Sequence, residues 1–168
     1  MRQRVPPRWG SRDRARHVPQ LLVEVRDDAL ALSDFTRFHQ AGFEVAWCSG
    51  PAGRPEDCAL LRNEDCRLVR GADVVLHALD PEGGVATAIR ARHPGTAIVQ
   101  IVPTSVKEGG DDVGPYDHRS RPDFVLSGSD CVETQVRALR LALCRRHAVD
   151  ANPAVGAPSD EPEPGSGH

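Results

Sequence analysis

An α/β fold with a doubly wound, mostly parallel five-stranded sheet is predicted by three features of the sequence. Short apolar runs of strand length alternate with stretches of helical period. The run at 74–76 is apolar without alternation and rich in β-branched residues, as suits a strand covered on both faces. Turn residues mark each change of period, and strands separated by helices at this spacing imply βαβ units with right-handed crossovers.

The 168 residues make one ordinary domain with tails. Residues 1–20 form a basic arm, with Arg2, Arg4, Arg8, Arg12, Arg14 and Arg16 set among prolines and little apolar periodicity, and are expected to be disordered. Residues 149–168 form a second expected disordered tail, rich in Pro, Gly, Ser and acid. The folded domain is expected over 21–148. A formal charge of −3 conceals this asymmetry of a basic start and an acidic end. No apolar run approaches bilayer length and no signal peptide pattern is present, so a cytoplasmic protein is expected. The five cysteines, Cys48, Cys58, Cys66, Cys131 and Cys144, are an odd number and fit reduced thiols in a reducing compartment.

Taken in order, 21–25 is a first strand, interrupted only by Glu24. A helix follows, with Ala31, Leu32, Phe35 and Phe38 on one stripe, Asp27 or Asp28 as cap and Gly42 as its stop. A second strand covers 43–47, and 55–70 reads as one helix broken near Asn63. The central strand comes next, then a helix marked by Val85, Ala88, Ile89 and Arg92, then a fourth strand at 97–102. Gly109, Gly110, Gly114 and Pro115 make 104–122 a loop or at most a helical turn. A fifth strand at 123–126 leads to the last helix, with Asp130 and Glu133 at capping-box spacing and Val132, Val136, Leu139 and Leu143 as its buried stripe.

Three stretches, L-L-V-E-V-R-D-D-A-L, A-G-F-E-V and A-D-V-V-L-H-A-L-D-P-E-G-G-V, resemble a response-regulator receiver domain of flavodoxin-like architecture. The resemblance covers 21 to about 146. It implies aspartyl phosphorylation chemistry, in which an acidic pair holds magnesium, an aspartate ending the third strand accepts phosphate, and a Thr/Ser and a Lys bind its oxygens. Position by position, the acceptor falls on His77, the Thr/Ser on Val102 or Pro103, and the Lys near Ser127. Asp27 and Asp28 match the acidic pair if the next helix is shortened; without that gap the positions are Val25 and Arg26. The resemblance is therefore to a degenerate receiver, and it implies a bacterial signalling module that works by protein binding without phosphorylation.

In an open α/β sheet, function gathers at the carboxyl ends of the strands. Asp27, Asp28, His77 and Asp80 all belong there and form the candidate pocket. Carboxylates with an imidazole could hold a divalent ion or do acid–base work, which keeps a small metal-assisted or hydrolytic enzyme as the alternative. The plainer reading is a cap, a turn former and a histidine bonded to a backbone carbonyl. Cys58 and Cys66 lack the close pairing of a zinc site and read as buried thiols; Cys48 with His77 makes a nucleophilic pair only if the strands juxtapose them. No phosphate-binding fingerprint occurs, and no cofactor, metal site or catalytic residue is assigned. Arg137, Arg140 and Arg145 on the last helix are the candidate partner-binding face. Few aromatic residues and no helix-turn-helix argue against sequence-specific nucleic-acid binding.

Overall fold

The structure, a computed structural model, describes residues 3–7, 9–10, 18–26, 28–51, 54–79, 84–103 and 121–151. Its strands are β1 (Gln3–Arg4), β2 (Gln20–Val25), β3 (Glu44–Cys48), β4 (Val74–Ala78), β5 (Ala97–Val102) and β6 (Phe124–Ser127). The helices are α1 (Asp28–Gln40), α2 (Arg67–Gly71), α3 (Val85–Arg92) and α4 (Val132–Ala151). The sheet order is β1-β3-β2-β4-β5-β6. Strands β2 to β6 run parallel to one another, and their order is that of flavodoxin-like domains.

Continuous apolar runs are possible because both faces of the sheet are covered. On one face Leu21, Val45, Val74 and Val99 pack with Phe35 and Phe38 of α1 and Leu139 of α4. On the other, Leu22, Ala46, Val75 and Ile98 pack with Leu68 of α2 and Ile89 of α3. Neither face could be polar at these positions without an internal partner.

The helix boundaries follow local chemistry. Gly42, at φ 89°, ends α1 in a Schellman arrangement: its N–H donates to the His39 carbonyl and the Phe43 N–H to that of Phe38. The helix expected over 55–70 is instead a 3₁₀ turn at Pro55–Asp57, a run of turns, and the short α2. Asn63 sits at φ 65°, a left-handed conformation that asparagine tolerates and a continuing helix does not. Asp130 does not cap α4, which begins two residues later; its carboxylate accepts the Ser127 N–H at 2.7 Å and closes the turn after β6. Asp123, at the opposite edge, gathers α3, α4 and β5: its carboxylate accepts from Arg90 at 2.9 Å, Arg146 at 3.0 Å and the Ile98 N–H at 2.7 Å.

Parts of the basic arm are among the residues the structure describes. Gln3–Arg4 adds to the sheet antiparallel to β3, and Trp9 is buried among Leu60, Leu68 and Val69. Four residues of the arm, 3–4 and 9–10, thus meet a pairing edge and an apolar hollow that composition does not reveal. The remainder of the arm and the tail from 152 lie outside the described residues, as does 104–120.

Candidate functional site at the carboxyl edge of the sheet

Four buried polar side chains stand in one row across the sheet. The register pairs Glu24 with Cys48 on β3 and with His77 on β4, and pairs His77 with Gln100 on β5. Each follows by two residues a side chain packed on the α2–α3 face, namely Ala46, Leu22, Val75 and Ile98, so strand alternation puts all four on that face. His77 Nδ1 lies 2.7 Å from Glu24 Oε2, and the two side chains are 1% and 4% exposed.

A carboxylate so deeply buried needs a donor or a cation, and the imidazole is in place to supply one. Cys48 flanks the same carboxylate. Burial, and then the charge of Glu24, push its thiol up to about 12, against the opposing N–H of Gly50, which donates to Sγ at 3.4 Å. It is held as a neutral thiol. Nor does it face His77: β2 lies between their strands, which puts the two backbones roughly 9–10 Å apart. The nucleophilic pairing of Cys48 with His77 is therefore excluded by topology. Burial also raises the Cys66 thiol, and Cys58 is buried.

Of the other candidates, Asp27 and Asp80 lie outside the described residues, and Asp28 is placed as the first residue of α1. His77 is the one member of that set whose side chain is described, and it is engaged by Glu24. Among the described residues, no three His, Cys, Asp or Glu side chains are grouped so as to share a metal ion. Near the position matched to lysine, Ser127 is buried; its Oγ lies 2.9 Å from Ser129 Oγ, and the Gly128 N–H donates to the Val102 carbonyl. Of the arginine row, Arg140 donates to the Ala41 carbonyl at 2.9 Å and Arg145 lies 4.3 Å over the Phe124 ring, while Arg137 is exposed.

Glu24 is the site residue that sequence reasoning missed. Its signal was present, a carboxylate inside an apolar strand, a residue type almost never fully buried unless paired.

No family model matches the sequence, and no curated protein matches it. Solved structures do. A response regulator receiver protein from Sinorhizobium medicae shares 21% identity over 77% of this chain and 98% of its own, with a TM-score of 0.54. A response regulator receiver domain from Clostridium thermocellum shares 15% over 78% of this chain and 98% of its own, at 0.54. A signal receiver domain from Vibrio parahaemolyticus shares 13% over 84% of this chain and all of its own, at 0.59. The chain has a receiver-like, flavodoxin-type fold.

Proposed function

We propose that the protein is a phosphorylation-independent receiver-like signalling module that acts in the bacterial cytoplasm by binding another protein. The observation that carries this reading is the Glu24–His77 pair. At the position matched to the phosphate acceptor stands an imidazole, which forms no acyl phosphate and is a poor ligand for magnesium. It is buried and already bonded to a carboxylate. An active receiver needs a metal to offset clustered negative charge; here a neighbouring side chain supports the buried carboxylate.

Receiver-like neighbours support the signalling part. Among the described residues no helix is long and apolar enough to cross a membrane. We assign the partner contact to the outer side of α4, where Arg137, Leu141 and Arg145 are spaced four apart on one stripe with Arg140 beside them. Leu141 is 45% exposed, an apolar centre between cations that suits a partner with an acidic rim.

Incubation with a small-molecule phosphodonor and magnesium tests the reading, with intact mass as the readout. An unchanged mass is expected. A phosphoryl adduct mapped to Asp27, Asp28 or Asp80 would replace it with an active phosphorelay domain.

A further inference from the structure

The docked arm marks an interaction surface. Strand β3 is the outermost parallel strand on its side of the sheet, and its outer edge is a template for pairing. Gln3–Arg4 takes up two positions of it, opposite Cys48 and Trp47, and leaves the ladder positions of Glu44, Val45 and Ala46 open on that side among the described residues. Five residues beyond Arg4, Trp9 enters the hollow beside α2; it is 8% exposed, and its indole Nε1 donates to the Leu68 carbonyl at 3.0 Å. The next residue, Gly10, donates its N–H to Gln20 Oε1 at 2.7 Å. The hollow exists because residue 71 has no side chain: a Cβ on Gly71 would lie 2.5 Å from the Trp9 indole nitrogen and 3.2 Å from Gly10 Cα. A cavity of about 290 Å³ remains beside the indole, lined by Trp9, Gly10, Arg67, Arg70 and Gly71.

Edge pairing, a single buried aromatic anchor and a backbone hydrogen bond to the indole are the parts of strand-addition recognition. We propose that the groove between the β3 edge and α2 is a docking site for an extended segment bearing a tryptophan, filled in cis by this chain's own arm and exchangeable with the arm of a second copy. The second copy is the occupant because its arm reproduces every contact just described, and identical elements exchange between protomers at low cost. Which arm wins is set by effective concentration, in the millimolar range for a short tether, so the isolated chain closes on itself. Exchange then requires copies to be brought together or the cis arm to be weakened.

Two full-length variants separate the halves of the contact. Trp9→Ala keeps the groove and loses the anchor; Gly71→Leu keeps the arm and fills the groove. Each alone should run as a monomer in size-exclusion chromatography with light scattering, and their mixture should form a one-to-one heterodimer that the double variant cannot join. In a second arm, a labelled peptide of residues 1–12 should bind Trp9→Ala at least tenfold more tightly than wild type, and the same peptide with Trp9→Ala should not bind. If Trp9→Ala proves unstable, the added peptide should raise its melting temperature. The inference is overturned if the peptide neither binds Trp9→Ala nor stabilises it, or if two folded variants stay monomeric when mixed at a concentration in the millimolar range, which matches that of the lost tether.

Discussion

Glu24 and His77 carry more of the account than any other residues, and their energetics follow from burial. His77→Ala would leave a carboxylate in an apolar layer without its donor, and should cost about 3–5 kcal/mol in urea unfolding. Replacing both by leucine removes the need for either partner and should recover most of that loss. A double change no better than the sum of the singles would mean that the two side chains do not interact. The pair was legible in part. In 21-LLVE, 74-VVLH, 97-AIVQ and 45-VAWC the polar residue is the fourth of each run, so aligning the runs brings Cys48, Glu24, His77 and Gln100 into one row. Reading along the chain grouped His77 with Asp27, Asp28 and Asp80, because caps and turns are local whereas register is a relation between distant strands. Cys48 gives a second test. Its folded thiol is raised to about 12, above the ordinary value that it regains on unfolding. The neutral thiol's contribution is complete below the unfolded value and is lost as pH rises from there through about 12, since the unfolded chain releases its proton first. Stability of the wild type should therefore fall over that alkaline window more than stability of Cys48→Ala. In the native state at pH 8, a thiol reagent should modify Cys131 and Cys144, which are exposed, well before Cys48 and Cys58.

At the scale of elements, the parallel strands were readable because burial on both faces imposes near-continuous apolar runs. Helices α1, α3 and α4 were readable from their stripes, and α2 was not. Leu60 and Leu68 are both buried and the chain breaks at Asn63 between them, where a break was expected, but only the stretch from Arg67 is α-helical, because apolar content alone does not tell packed turns from a helix. The contacts of Trp9 were hidden for a different reason. The arm's composition is that of a disordered segment, and a single tryptophan is too little periodic signal to show that a hollow elsewhere fits it. Gly71→Ala measures this directly. It places a better helix former at the last position of α2, a change worth up to about 1 kcal/mol in favour of an isolated helix. Because its Cβ would meet Trp9, the substitution should instead lower the melting temperature. A rise would show that the indole is not held there.

For the whole molecule, the fold and the chemistry point in different directions. Sheet order and helix layers are those of a receiver, whereas the row of residues at its carboxyl edge consists of a thiol, a carboxylate, an imidazole and an amide. The architecture was legible because element order and burial are written in the periodicity of the chain. The edge was only half legible, because the chain places His77 near the end of a central strand but does not show what it touches. In the proposed reading, the Glu24–His77 pair stands where a receiver would need a metal-supported carboxylate. The most direct test of that reading is the melting temperature with and without magnesium, at matched ionic strength, in the wild type and in His77→Asp. The Glu24–His77 pairing predicts no magnesium effect on the wild type. It predicts a lower melting temperature for His77→Asp, which sets two carboxylates side by side in a buried layer, with partial recovery on adding the divalent ion. A wild-type protein stabilised by magnesium as strongly as the variant would contradict it.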